Sequence, residues 1–431
     1  MSKDDEWSID TVAKRLAETE DRLAQDDPQL KSVFTQTFFE EAKAQIPGLA
    51  GSPRSALAGA ILSIKDLLDV RGFVTRAGTK FMQADAPAAE DAAIVGKLRE
   101  AGAVLIGHTN MTELAYSGLG LNPHYGTPEN AIFEGCIPGG STSGGAVSVA
   151  QGAADIAIGT DTGGSLRIPA AFNGIVGFKP TQSSVSRDGC KALSRSLDSV
   201  GPMARRVAAC DLAYRVLAGE NAGGEPLSDA DFVIPANYGM DDLEPAVAEA
   251  FEAAVGRLTA AGFAVRDAKI DALEQLKALP IWHFASVECR AEYDHAYRNH
   301  RDLIDPRIAG PTRMGRADEV DAVTYRKTLN RRADLIGLFR REMAGRVLLM
   351  PTVPILPPRF ETLEDDAAYS RINLQVLRNP SIANVMDCCS ISVPYAGGAA
   401  PMGIMMTACG GRDRALLSLA AKVEASFDLQ G

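Results

Sequence analysis

The chain has 431 residues, 46% hydrophobic and 23% charged, which supplies a large core and excludes a disordered or fibrous protein. A net charge of -11 with 6% aromatics argues against a nucleic-acid partner, which would call for a basic surplus or a base-stacking surface. Cysteines without a C-x-x-C pair, an acidic start (MSKDDEW) and no long apolar run exclude zinc-ribbon, secretory and membrane-spanning readings, so the expectation is a cytoplasmic protein with reduced thiols and no membrane partner.

Residues 8–47 place Ile9, Val12, Leu16, Leu23, Leu30, Val33, Phe34 and Phe38 at helical spacing. This predicts a helical segment, capped by Ser8 or Asp10 and divided into two helices at Pro28. Ala60–Ile64 reads as a buried strand ending at Lys65-Asp66, residues 90–101 as a helix closed by Gly102, and Ala103–Gly107 as a second strand. From 117 to 180 small residues dominate, with two glycine-serine clusters at 138–145 and 159–165. Between them Ala146–Ala153 suits a helix of small residues and Ile156–Ile158 a strand. Beyond 200 the strands expected are 232–234, 263–265, 347–350, 391–393 and 403–406. Helices are expected at 244–261 and 414–427, and residues 272–345 form a mostly helical insertion. Alternating helices and apolar strands predict a single α/β domain over 1–431, with a central mixed sheet covered by helices on both faces.

The glycine clusters match no phosphate loop, no dinucleotide fingerprint at Gly118-Leu119-Gly120 and no G-x-S-x-G elbow, and the five histidines lack metal-ligand spacing. What remains is glycine that frees backbone amides. Thr162-Gly163-Gly164-Ser165 would let N–H groups converge beside a serine, as in an oxyanion hole. Such a serine needs a base. His108 and His124 are nearest in sequence, but neither sits in a glycine-rich setting. Lys65 ends an apolar run, and burial there would lower its pKa toward neutrality. An ordinary lysine at a strand end, capped by Asp66, is the competing reading.

Longer stretches carry a resemblance. Gly139–Gly145, Gly159–Phe172 and Gly174–Thr181 form one continuous signature, flanked by Ile64-Lys65-Asp66, Thr109–Glu113, Gly120–Pro123 and Leu197–Met203. Over residues 60–205 the chain resembles the amidase signature family of serine amidohydrolases. The resemblance implies a Ser–cis-Ser–Lys triad, with Ser165 as nucleophile, Ser141 as bridging serine and Lys65 as base. It implies an oxyanion hole from the amides of Thr162, Gly163, Gly164 and Ser165, and a cis peptide before Ser141. This chain reads Gly-Gly-Ser-Thr-Ser-Gly-Gly where the family reads Gly-Gly-Ser-Ser-Gly-Gly. Anchoring on Pro138-Gly139-Gly140 puts Ser141 at the bridging position and leaves Ser143 as a supporting hydrogen-bonder. Asp161 and Arg167 are expected to hold the loop. Met111, Tyr116 and Trp282 are candidates for the acyl pocket.

The reading that follows is a cofactor-free, metal-free amidohydrolase that cleaves the C–N bond of a small amide through an acyl-serine. A homodimer stays open. Two alternatives stand beside it. One is the glutaminase-type component of a glutamyl-tRNA(Gln) amidotransferase-type complex, against which the divergent C-terminal half with Met386-Asp387-Cys388-Cys389 weighs. The other is a non-catalytic binding protein on the same scaffold, which the presence of all three triad residues disfavours.

Overall fold

The computed structural model describes residues 7–51, 55–219, 231–397 and 400–428. Among these residues, the strands are β1 (Phe34–Thr37), β2 (Ile61–Lys65), β3 (Val104–Thr109), β4 (Ile156–Asp161), β5 (Val176–Lys179), β6 (Ser199–Ala204), β7 (Asp231–Pro235), β8 (Val265–Ala268), β9 (Arg346–Pro351), β10 (Cys388–Tyr395) and β11 (Met402–Cys409). They form one sheet in the order β1-β3-β2-β4-β6-β5-β10-β11-β9-β7-β8. β2 runs parallel to both β3 and β4, and β7 to both β8 and β9, while the middle of the sheet is antiparallel.

The helices up to the middle of the chain are α1 (Ile9–Ala24), α2 (Phe39–Leu49), α3 (Ala93–Glu100), α4 (Ser143–Ala150), α5 (Arg167–Phe172), α6 (Val207–Ala218) and α7 (Pro245–Ala260). The insertion supplies α8 (Asp271–Leu276), α9 (Trp282–Glu292), α10 (Asp294–Asn299), α11 (Pro306–Ala309) and α12 (Ala322–Glu342). The chain closes with α13 (Asp366–Arg378), α14 (Ser381–Val385) and α15 (Asp413–Asp428).

Successive strand residues point to opposite faces, and the buried clusters follow that alternation. Leu62, Ile64, Val347 and Leu349 pack with α3, α6, α7 and α15 in the main core. Their neighbours turn the other way. Ile61, Val104 and Ile106 meet α1, α2 and α4, and Leu348 and Met350 meet α8, α12 and α14. Helices therefore cover both faces of a mixed sheet.

Two sequence expectations need correction. The stretch 8–47 is not all helix: Phe34–Thr37 is the edge strand β1, antiparallel to β3. Backbone pairing with β3, continued by the Phe38 amide on the Ile106 carbonyl at 2.8 Å, outweighs the helical spacing of its apolar residues. The small-residue helix is Ser143–Ala150, three residues earlier than expected. Gly144 belongs to it because a Cβ there would lie 2.3 Å from the Val33 carbonyl oxygen, so this glycine serves close packing rather than a loop. The strands β5 and β6 also lie inside stretches read above only as motif.

The parallel neighbours β2 and β4 end side by side, with Lys65 and Asp161 as their last residues. The loop before α4 and the loop between β4 and α5 meet over these ends. A crevice outside the carboxyl ends of parallel strands is the usual ligand position in α/β sheets.

Candidate active site

Lys65 has no exposed surface, and its Nζ donates to Ser141 Oγ at 2.7 Å and to Thr160 Oγ1 at 3.0 Å. Burial in the apolar end of β2 disfavours the ammonium and pushes its pKa down to about 7. No carboxylate is hydrogen-bonded to it among the described residues, and the attraction of Asp198 and Asp161 only partly offsets the burial. The two histidines lie elsewhere. His108 is buried with Nε2 at 3.0 Å from the Leu68 carbonyl, and His124 pairs with Glu113 at 3.0 Å.

Ser141 follows a cis peptide bond, Gly140–Ser141. Its loop is pinned from below: the Gly140 amide donates to the Gly118 carbonyl at 2.8 Å, and the Thr112 amide to the Ser141 carbonyl at 3.1 Å. A Cβ on Gly140 would lie 2.5 Å from the Gly120 amide nitrogen, so these backbones touch only because both positions lack a side chain. That contact is the use of Gly118-Leu119-Gly120. Ser143 opens α4 and donates to the Asn110 carbonyl at 3.3 Å. The serine at Lys65 is thus Ser141.

Asp161 organises the next loop. Its carboxylate accepts from the amides of Gly164 at 2.8 Å and Leu166 at 3.1 Å, and from Arg167 at 2.9 and 3.0 Å. Burial alone would raise this carboxyl, but the Arg167 guanidinium and its hydrogen bonds overcome that and hold the pKa near about 2. Arg167 also donates to the Pro380 carbonyl and the Asn384 side chain, tying the loop to α14. Gly164 departs from its expected place. Its amide is taken by Asp161, it does not line the cavity, and its φ of +135° with a Cβ position 2.6 Å from Pro380 fits glycine alone. The amides of Thr162, Gly163 and Ser165 have no hydrogen-bond acceptor among the described residues.

Thr162, Gly163 and Ser165 open onto a cavity of about 830 Å³. Tyr116 and Trp282 line it too, whereas Met111 is fully buried in the main core and does not reach it. Met111 follows Asn110, whose side chain holds the Met111 amide at 2.8 Å, and the turn sends the thioether inward. The remaining wall includes Leu197, from a flank of the signature, and segments remote in sequence, among them Tyr238, Ile281, Arg313 and α13, for which local pattern gave no signal. Asp198 was also missed. It accepts from Thr162 Oγ1 at 2.5 Å and from the Leu193 and Ser194 amides, and burial raises its pKa to about 6. Among the described residues no group of three or more histidine, cysteine, aspartate or glutamate side chains is placed to hold a metal ion.

The chain as a whole has known counterparts. The family model for Amidase matches residues 15–417. A 2-amino-5-chloromuconic acid deaminase of Comamonas testosteroni is 32% identical over 97% of this chain and 91% of its own. An indoleacetamide hydrolase of Pseudomonas savastanoi is 31% identical over 98% and 94%. A glutamyl-tRNA(Gln) amidotransferase component of Sulfurisphaera tokodaii is 25% identical over 98% and 95%. Among solved structures, one described as an amidase superposes with a TM-score of 0.85 at 29% identity, covering 97% of this chain and 98% of that one. A 6-aminohexanoate cyclic dimer hydrolase in complex with substrate gives 0.85 at 25% identity, covering 96% and 94%. Fold, motif and relatives agree along nearly the whole length, and the chain belongs to the amidase family as a hydrolase of the C–N bonds of linear amides.

Proposed function

We propose that Ser165 is the nucleophile, Ser141 the proton relay and Lys65 the base of this amidohydrolase. The observation that carries the reading is the Lys65 amine: fully buried, with a pKa near about 7, and 2.7 Å from Ser141 Oγ. Once the amine is neutral, the same contact runs in reverse, and the Ser141 hydroxyl donates to the Nζ lone pair. Ser141 then draws the proton from Ser165 as its oxygen adds to the amide carbonyl. The amides of Thr162, Gly163 and Ser165, which have no acceptor among the described residues, stabilise the developing oxyanion. The proton returns through Ser141 to the departing nitrogen, and water hydrolyses the acyl-serine along the same relay. Asp161 and Arg167 touch none of these atoms and position the loop that presents them.

The substrate is a small amide, and the site of action is the cytoplasm. Relatives named as an indoleacetamide hydrolase and an aminochloromuconic acid deaminase support a small-molecule amide over a polymer. Ammonia release across primary amides, anilides and ureas, by wild type and Ser165→Ala side by side, tests the reading. Release by both proteins at the same rate would sink it. The similarity to the glutamyl-tRNA(Gln) amidotransferase component favours a second reading, in which the ammonia is passed to a partner. Purification of the native protein with stoichiometric companion chains would select that one.

A further inference from the structure

The cavity has a charge that the chain as a whole does not. Against a net charge of -11, the cavity is lined by Arg313, Arg316, Arg371 and Arg378, with Asp242 the acidic residue among its lining. Three of these arginines have ordinary explanations. Arg378 donates to the carbonyls of Gly239 and Asp241. Arg316 stacks 3.6 Å over the Trp282 ring and pairs with Glu319 at 3.4 Å. Arg371 is exposed to solvent.

Arg313 is different. It is 6% exposed, and its side chain makes one hydrogen bond among the described residues, from Nη1 to the Arg307 carbonyl at 2.8 Å. Nε and Nη2 have no acceptor, and no carboxylate lies within ion-pair distance, among the described residues. The guanidinium sits over two rings, 5.2 Å from the centre of Tyr369 and 5.8 Å from that of Tyr116. Burying a cation without an anion is costly, and protein interiors normally supply a partner. Nε and Nη2 of Arg313 are not sealed in the core, and the residue lines the cavity, so a ligand there can supply the partner.

A second donor shares this wall. The Tyr369 hydroxyl donates to Ser117 Oγ at 2.9 Å, and Ser117 donates in turn to Asn373 Oδ1, which also accepts from the Gly118 amide. With Oδ1 taken twice, the Asn373 amide is oriented, and its Nδ2 has no acceptor among the described residues. Ser117 and Asn373 both line the cavity.

We infer that the substrate carries a carboxylate apart from its reacting amide, and that Arg313, with Asn373 lining the same cavity, is the specificity determinant that binds it. This rests on the reading of Ser165 as nucleophile. A planar guanidinium edge matches a carboxylate through two parallel hydrogen bonds, and one buried cation balances one negative charge. A cavity of about 830 Å³ has room for a short chain between the two groups.

The test uses matched pairs: monoamides of short linear dicarboxylic acids, and the same amides ending in hydroxymethyl. Two readouts are taken on the full chain, ammonia release and protection of Ser165 from a neutral phosphonate reagent. Wild type should prefer the carboxylate by about 100-fold in kcat/KM. In Arg313→Gln that ratio should collapse to within about threefold, with Arg313→Lys between the two. Phosphonate titration counts the competent sites in each variant, and if a variant does not fold the wild-type preference and protection decide. Equal kcat/KM and equal protection by both compounds in wild type, or an unchanged ratio in Arg313→Gln, overturns the inference and leaves the amidase chemistry standing. Failure of the phosphonate to mark Ser165 at all strikes instead at the nucleophile assignment beneath it.

Discussion

Lys65 shows how one side chain takes an unusual acidity from its surroundings. Strand β2 carries it into the core, where burial lowers its pKa to about 7, and the partners left to it are the hydroxyls of Ser141 and Thr160. Arginine stays protonated in any such setting, so Lys65→Arg should lower kcat/KM by about 10²–10⁴-fold in a steady-state ammonia assay. The wild-type profile of kcat/KM should rise with pH through about 7, as the ammonium loses its proton. A profile flat from acid to alkaline pH would remove the base from the mechanism. Ser165→Ala takes away one oxygen from a loop held by other residues. Turnover should fall by at least about 10⁴-fold while the melting temperature stays near that of wild type.

The element that matters most is the turn from β4 into α5. Asp161 closes β4 and accepts from Gly164, Leu166 and Arg167 at once, so the loop is organised around one carboxylate. Asp161→Asn leaves the fully buried Arg167 without its counter-charge. The variant should lose about 3–5 kcal/mol of stability in denaturant titration, and its kcat should fall because the loop is no longer held. An Asn variant as stable as wild type would mean that the pair does not organise the turn. Much of this site was legible in the sequence because its residues cluster: Ser141, Asp161, Ser165 and Arg167 lie in one glycine-rich stretch, and only Lys65 comes from outside it. The alternation of helix and apolar strand likewise exposed the mixed sheet. What local pattern concealed was set by distant partners. Phe34–Thr37 becomes a strand because β3 offers it an edge, and the amide of Gly164 turns to Asp161 rather than to the cavity. The far wall of the cavity, with Arg313 and Asn373, is assembled from segments far beyond the signature, and nothing in their own sequence marks them.

At the scale of the whole molecule, the buried titrating groups tie stability to pH. The folded pKa of Lys65 lies below its ordinary value of 10.5, so the unfolded chain binds more protons between about 7 and 10.5. Its contribution is favourable above that window and is lost as pH falls through it. Asp198 has the opposite sign: raised to about 6 by burial, it favours folding at acid pH, and that contribution is lost as pH rises from about 4 to 6. Lys65→Met should therefore gain stability relative to wild type on going from pH 10 to pH 7, by on the order of 3 kcal/mol in urea titrations. A difference that does not vary with pH would show that Lys65 is not neutralised by burial. In the proposed mechanism the relay and the loop amides supply proton transfer and oxyanion stabilisation, so dialysis against a strong chelator should leave the rate unchanged. A rate that vanished with chelator and returned with a divalent ion would reopen the chemistry. The central claim, a serine nucleophile served by a buried lysine, is tested most directly by reacting the intact protein with a small electrophilic phosphonate and weighing it by mass spectrometry. The account predicts one adduct per chain, mapped by peptide analysis to Ser165 and absent in Ser165→Ala. An adduct that persists in that variant, or that maps to another serine or to Cys136, would contradict it.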